Sequence, residues 1–339
     1  MMSTKVKGLV AGCAALAAGS LTVPLAAAGS VGEHRLATSE AEQQAVQDYW
    51  TPERIAALTE PSSDNPPKAG PDGAPWTTPN ALSRTVGRLF FTDHGEDASC
   101  TATVVESANR STIVTAGHCV NNTDLLGENN QWSQNVLFIP GYHDGQAPHG
   151  RFTGRIAILD ETWLHNDQQH GEVYDAYDQA FVVLNPDERG QRAEDVVGAA
   201  QRIGFGEPGA GTATSFGYPR ATSDPAREGL PEYIGERLAH CRGPAKEEHG
   251  TPEHPAAANQ WGVACTMGGG SSGGPRFSEL NMTTGIGTVV GDNSHSAFFD
   301  GGGNPCPPGE QEGCTRYLVG PQFTTEITEP LYRTAGGAW

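Results

Sequence analysis

The feature that most restricts the fold of this chain is the shortness of its apolar runs. From about residue 84 onward, hydrophobic and β-branched residues come in short segments, and Gly, Asn, Asp or Pro separates each segment from the next. The 44 glycines and 24 prolines among 339 residues suit strands joined by turns and disfavour long helices. The sequence therefore predicts an all-β body.

The predicted strands fall into two groups of similar size. The first group, within 84–185, comprises 85–91, 100–106, 112–115, 135–139, 151–159 and 180–184. The second group, within 197–323, comprises 213–217, 233–239, 262–266, 285–290 and 317–319. Two all-β halves, 85–195 and 196–323, predict two packed antiparallel barrels. In the C-terminal segment, 324–339, the sequence indicates a closing helix at 324–333 that Pro330 would make irregular.

The N-terminus has the pattern of a secretory signal peptide. Lys5 and Lys7 precede a run of apolar or small residues that ends in three alanines at 26–28. Cleavage after Ala28 would follow the small-residue rule and define 1–28 as the signal. A membrane anchor is the alternative, but Pro24 interrupts the run. A lipoprotein signal ending at Cys13 is also disfavoured, because most of the apolar run follows that cysteine.

Residues 29–80 differ from the β-rich body. The sequence predicts a helix that starts near Glu40 and a second helix over 52–58, with Thr51 as its N-cap. Residues 61–79 are rich in Pro, Gly, Ser and Asp, which is typical of a flexible linker. A helical piece followed by a linker suggests a propeptide, and a plain N-terminal extension is the alternative.

Charge and cysteine content exclude several classes of protein. The formal net charge of −19 disfavours binding to nucleic acids and to anionic membranes. Of the 7 cysteines, all except Cys13 lie after the signal, and an even number in an exported protein suggests disulfides. Neighbouring cysteines give the simplest of 15 connectivities: Cys100–Cys119, Cys241–Cys265 and Cys306–Cys314. Zinc binding is the alternative, but no C-x-x-C pair is present, and no metal or cofactor is predicted.

Two motifs carry the chemistry. Residues 269–275 read Gly-Gly-Ser-Ser-Gly-Gly-Pro, and a serine set among glycines can present its hydroxyl on a tight loop. The alternative for this composition is a flexible Gly/Ser linker. Residues 111–119 form a β-rich run that ends in His118 and Cys119. A bond from Cys119 to Cys100 would fix the histidine on a rigid strand end, as a general base requires.

Together these motifs resemble those of the trypsin/chymotrypsin superfamily, which carries a T-A-x-H-C segment and a later G-x-S-G-G-P segment. They stand here at 115–119 and 270–275, one in each β-rich half. The resemblance extends from about residue 85 to the C-terminus. It implies two six-stranded barrels with the active site in the cleft between them. It also implies that His118 is the general base, Ser272 the nucleophile, and Gly270 and Ser272 the N–H donors of the oxyanion hole.

The superfamily also needs an aspartate, which usually opens a hydrophobic strand. Asp178 is followed by Gln-Ala-Phe-Val-Val-Leu and fits this pattern. Asp175 is the alternative, but no apolar strand follows it directly. The sequence thus predicts a triad of His118, Asp178 and Ser272.

The chain also departs from the trypsin pattern. Ser271 precedes the nucleophile where trypsin-type enzymes carry aspartate, and no I-V-G-G-like N-terminus is present near Arg84. The usual activation switch, which pairs a new amine with that aspartate, is therefore not expected. The stretches 88–91, 216–219 and 265–275 look closer to a bacterial branch of secreted peptidases that is distantly similar to glutamyl endopeptidases.

Specificity is predicted only from position and chemistry. Thr266 lies six residues before the nucleophile, which is the base of the specificity pocket in this fold, and it is neutral. An aspartate there would select Arg or Lys, so trypsin-like specificity is disfavoured. Ser294 and His295 are expected on the pocket wall, where they would accept acidic side chains. The alternative for His295 is an ordinary surface residue.

Three functions remain. The first is a secreted, monomeric serine endopeptidase that acts on protein or peptide substrates. The second is a catalytically silent homologue that serves as a secreted binding protein. The third is an esterase, because residues 270–274 formally satisfy G-x-S-x-G. However, the chain order is His, Asp, Ser, which is not the order of α/β-hydrolases, and the sequence favours the endopeptidase.

Overall fold

The computed structural model describes residues 30–60, 72–123, 129–165, 174–250, 256–306 and 312–338. The predicted signal peptide lies outside the described residues. The strands are β1 Val31–Arg35, β2 Asp72–Pro75, β3 Val86–Asp93, β4 Glu96–Val105, β5 Thr112–Thr115, β6 Asn121–Asn122, β7 Gln131–Trp132, β8 Gln134–Pro140, β9 Phe152–Asp160, β10 Ala180–Leu184, β11 Arg202–Ile203, β12 Gly211–Gly217, β13 Ala239–Glu247, β14 Gln260–Ala264, β15 Pro275–Ser278, β16 Thr288–Asp292, β17 His295–Asp300 and β18 Cys314–Pro321. The helices are α1 Glu40–Tyr49, α2 Pro52–Ala56, α3 Leu82–Thr85, α4 Ala193–Val197 and α5 Thr328–Gly337. Among these elements, no helix is both long enough and apolar enough to cross a membrane.

The first barrel is a closed antiparallel sheet of six strands. Its order is β9-β10-β5-β4-β3-β8, and pairing of β8 with β9 closes the ring. Aliphatic and aromatic side chains such as Leu89, Val104 and Phe138 fill the interior and are fully buried. The apolar runs seen in the sequence supply this core.

The second barrel is built from a sheet of nine strands. Its main path is β11-β16-β15-β12-β13-β14-β18-β17, and β2 pairs with β13 at the side. A bridge between Gly291 and Gln322 brings the end of β16 to the end of β18 and closes the ring. This arrangement confirms the prediction of two packed, largely antiparallel barrels.

Individual strands match the prediction to different degrees. Strands β5 and β10 have the predicted bounds. The strand predicted at 233–239 is wrong, because Tyr233 ends a 3-10 helix and Gly235 has a positive φ of 86°. The strand begins only at Ala239. It continues through Pro244, although a proline in a sequence usually indicates that the segment is not a central strand.

The N-terminal segment 30–60 packs onto the first barrel. Strand β1 pairs antiparallel with β9, so it extends the barrel sheet. Trp50 is fully buried, and its ring lies 5.5 Å from that of Phe90. Its indole N–H donates to the carbonyl of Asn135 at 2.5 Å, and its own carbonyl accepts from Arg151 at 2.7 Å. Loss of this segment as a propeptide would therefore expose apolar core.

The end of this segment reaches both barrels. The carbonyl of Leu58 accepts from the buried guanidinium of Arg88 at 2.8 Å, and the hydroxyl of Thr59 donates to Glu236 at 2.5 Å. Further along, Asp72–Pro75 is not the flexible linker expected from its composition, because it pairs with β13. Residue 80 is therefore not a structural boundary.

The C-terminal segment forms a regular helix, α5, which starts four residues later than expected from 324. Pro330 is its third residue, where the backbone has no need of an intrahelical N–H donor, so the proline does not distort it. Leu331 and Ala335 are fully buried.

The structure contains all three predicted disulfides. They join Cys100 to Cys119, Cys241 to Cys265 and Cys306 to Cys314. The first bond links the strand β4 to the segment that carries His118, and the second lies in the second barrel.

Candidate active site

His118 lies directly after the end of β5. A single turn of 3-10 helix, Gly117–Cys119, follows the strand and turns the imidazole out of the sheet. The disulfide from Cys119 to Cys100 ties this turn to β4. The turn packs closely on the aspartate, because a Cβ at Gly117 would lie 3.1 Å from the carboxylate of Asp178. The side chain of His118 is 26% exposed, so part of the ring remains accessible.

Asp178 lies two residues before the start of β10 and faces His118. Its side chain is 4% exposed. One carboxylate oxygen lies 2.8 Å from Nδ1 of His118, and the other accepts from the backbone N–H of the same residue at 2.8 Å. Asp175, the alternative in the sequence, is instead 4.0 Å from the ring of His295. The aspartate that orients the imidazole is thus Asp178.

Ser294 supplies a third hydrogen bond to this carboxylate. Its hydroxyl donates to Oδ2 of Asp178 at 2.5 Å. The sequence had placed Ser294 on the pocket wall, and nothing in its local pattern indicated a partner 116 residues away. Asp178 is therefore held by donors from both barrels.

The electrostatics of the pair favour the charged forms. Burial opposes ionisation of both groups, but their mutual attraction outweighs it. The pKa of Asp178 is lowered by the charge of His118 and by hydrogen bonds from His118 and Ser294. The pKa of His118 is raised above its usual value by the charge and hydrogen bond of Asp178. Such a histidine can accept a proton and hold it through a reaction step.

Ser272 lies on a tight loop that the second barrel presents to the first. Gly270 and Gly273 flank the loop with positive φ values of 94° and 73°. A side chain at Gly273 would collide with the hydroxyl of Thr115 and with the carbonyl of Thr101. The carbonyl of Ser272 accepts from the backbone N–H of Thr101 at 2.8 Å. The loop therefore docks on β4, close to the strand end that leads to His118.

Two backbone N–H groups of this loop are not used in hydrogen bonds to the backbone of the described residues. The carbonyl of Gly269 accepts from the N–H of Arg220 at 2.6 Å. In a trans peptide the N–H points away from the carbonyl, so the N–H of Gly270 is directed away from Arg220. In the described part of the chain, neither this N–H nor that of Ser272 donates to a backbone carbonyl. Two N–H donors of the loop thus have no backbone acceptor among the described residues.

Neutral groups surround Ser271, the residue before Ser272. Ser271 is fully buried, and its hydroxyl has no partner among the described residues. The side chain of Asn293 donates to the carbonyls of Ser271 at 3.1 Å and Phe216 at 2.8 Å. An amide thus fixes the loop, whereas trypsin-type enzymes use an ion pair at this position.

The residues predicted to set specificity are already engaged within the protein. The hydroxyl of Thr266 is 2.7 Å from that of Tyr233, and Thr266 lines a cavity of about 770 Å³ with Arg316. The ring of His295 lies 2.8 Å from a carboxylate oxygen of Glu248. Burial opposes the imidazolium, but this bond and nearby carboxylates raise the pKa of His295.

Solved structures similar to this chain include two bacterial or microbial proteases. The thermostable serine protease AL20 from an extremophilic microorganism is 28% identical, with a TM-score of 0.57, and the match covers 76% of this chain and 100% of that chain. The protease Anisep from Arthrobacter nicotinovorans is 30% identical, with a TM-score of 0.56, over 77% of this chain and 98% of that chain.

A more distant likeness concerns the fold alone. A Glu endopeptidase in complex with MPD is 19% identical, with a TM-score of 0.53, over 79% of this chain and 99% of that chain. No family model and no curated protein matches the chain.

Proposed function

Because the chain belongs to the trypsin- and chymotrypsin-like serine peptidases, we propose that it is a secreted serine endopeptidase that cleaves protein or peptide substrates. The observation that carries this proposal is the doubly hydrogen-bonded pair of Asp178 and His118. It lies at the barrel interface where the loop of Ser272 docks. The oxyanion donors would be the N–H groups of Gly270 and Ser272.

The proposed reaction has two halves. The hydroxyl of Ser272 attacks the carbonyl of the scissile bond while Nε2 of His118 takes its proton. Asp178 keeps the other ring nitrogen protonated and stabilises the imidazolium. His118 then protonates the leaving amine, and an acyl-enzyme remains on Ser272. In the second half, His118 activates a water molecule that releases the acid and restores the serine.

The location and state of the protein are part of the proposal. The signal-like residues 1–28 and three disulfides suit export to an oxidising compartment. We expect the exported enzyme to act as a monomer.

The experiment that tests the function is labelling with a fluorophosphonate probe. Such probes react with activated serines, so label on Ser272 that is lost in Ser272→Ala would support the triad. Ser215→Ala is the matched control, because Ser215 is a buried serine whose hydroxyl has no partner among the described residues. The Ser215→Ala variant should take up the fluorophosphonate label to the same extent as the wild type.

Two outcomes would favour the other functions. A folded protein that takes no label would support the silent binding protein. A labelled protein that hydrolyses small esters but neither casein nor a peptide library would support the esterase.

A further inference from the structure

Thr101 connects the first barrel to the loop of the nucleophile. It lies on β4 beside the disulfide-bonded Cys100, and its side chain is fully buried. Its backbone N–H donates to the carbonyl of Ser272, as described above, and its own carbonyl accepts from the hydroxyl of Thr115 at 2.9 Å. The backbone of Thr101 is thus fixed from both sides.

The hydroxyl of Thr101 makes two further hydrogen bonds into the second barrel. It donates to the carbonyl of Gly270 at 2.9 Å and accepts from the backbone N–H of Tyr218 at 2.9 Å. Its single proton is used by the first bond. The hydroxyl therefore joins the loop of the nucleophile to the segment that follows β12.

These contacts fix both peptide planes next to Gly270. The plane before it is held by the bond from Arg220 to the carbonyl of Gly269. The plane after it is held by the hydroxyl of Thr101 at its carbonyl and by the bond from the N–H of Ser271 to the carbonyl of Gly268 at 3.1 Å. Glycine rotates about its backbone at little cost, so the position of Gly270 is set by these bonds and not by the stiffness of its own backbone. The N–H of Gly270 lies in the plane before it, which the bond from Arg220 holds directly. The hydroxyl of Thr101 acts on this N–H through the position of Gly270, because it ties the carbonyl of Gly270 to the segment 218–220 that carries the Arg220 donor.

We propose that Thr101 is a positioning residue whose hydroxyl keeps the N–H of Gly270 aimed at the oxyanion of the reaction. This inference rests on the proposed function, since it assigns a role within the same reaction. Thr101 does not touch the reacting atoms. It acts through the carbonyl of Gly270, so its loss should weaken stabilisation of the transition state more than binding of the substrate.

The test uses variants of Thr101 in the full-length exported protein. Thr101→Val keeps the shape of the side chain but leaves the carbonyl of Gly270 without a donor. We expect kcat on a peptide substrate to fall about 10- to 100-fold, below the loss expected when an oxyanion donor is removed outright, with KM nearly unchanged. Affinity for a peptide aldehyde, which forms a tetrahedral adduct with the serine, should fall in parallel. Thr101→Ser should restore most of kcat.

Thr103→Val is the matched control. Thr103 is two residues further along β4 and is also fully buried, but its hydroxyl has no partner among the described residues. It should retain the kcat of the wild type. All rates are divided by the concentration of sites titrated with the fluorophosphonate, so that misfolded protein does not count. Thr101→Ala, which removes the same hydroxyl with a smaller side chain, should show the same loss if the valine variant does not accumulate.

Several results would overturn the inference. One is a valine or alanine variant with the kcat of the wild type. Another is a serine variant that does not recover kcat, since the hydroxyl would then not be the cause. A loss confined to KM would also contradict it. In each case an active wild type leaves the proposed function standing, whereas a wild type inert toward both peptide and probe would end both proposals.

Discussion

Replacement of Ser294 by alanine separates two roles for this residue. If its hydroxyl orients Asp178, as the distance of 2.5 Å indicates, the variant should lose kcat. If it lined the specificity pocket, as the sequence suggested, the variant should change KM and the choice of the cleaved residue. We expect the first result.

The magnitude follows from the bonds that Asp178 keeps. Three donors reach its carboxylate, and two of them, the backbone and the ring of His118, survive the change. A hydrogen bond to a charged group contributes about 1.5–3 kcal/mol. If most of this is lost in the transition state, where the imidazolium needs a well-placed carboxylate, kcat/KM falls about 10- to 100-fold.

The assay is steady-state kinetics on a peptide library, with kcat and KM determined separately. Ser111→Ala is the control, because Ser111 is a fully buried serine of the first barrel whose hydroxyl has no partner among the described residues. The Ser111→Ala variant should have the kcat and the KM of the wild type. A Ser294 variant with unchanged kcat but an altered preference at the cleaved residue would refute our assignment.

Two further predictions concern the triad and the N-terminal segment. Since Asp178 raises the pKa of His118, against the effect of burial, kcat/KM should fall as pH drops through a value above 6.5. In a profile of kcat/KM against pH, Asp178→Asn should shift this acidic fall to lower pH. The same change should reduce kcat by about 10⁴-fold. Trp50→Ala should lower the free energy of unfolding by about 3–5 kcal/mol in urea titrations, because the ring is fully buried. An unchanged midpoint would mean that the active protein does not contain this segment.

Local patterns in the sequence predicted the parts of the site that are local in structure. The segment that ends in His118 and the glycines around Ser272 are short motifs, and each forms the strand end or tight loop that its composition indicates. Strand β10 after Asp178 is a run of five buried residues, so its apolar pattern was enough to set its bounds.

Contacts between distant segments could not be predicted in this way. The hydroxyls of Thr101 and Ser294 gain their roles only when the two barrels meet, and neither residue stands in a pattern that marks it. Strand β13 starts later than the strand predicted at 233–239, because a 3-10 helix and the positive φ of Gly235 precede it. It also runs through Pro244, which pairing with β12 accommodates although proline is usually excluded from strands. Tertiary packing also decided that residues 30–60 join the barrel.

The burial of Trp50 has a consequence for how the chain becomes folded. Trp50 is made early, but its carbonyl is bound by Arg151, which lies 101 residues further along. Strand β1 likewise can pair only after β9 has been synthesised. When such distant residues come together, the chain loses loop-closure entropy before the stabilising contacts between them have formed. Folding that depends on such contacts is therefore slow. The first barrel therefore cannot close until β9 and β10 have been synthesised, and the N-terminal segment remains without its partners until then.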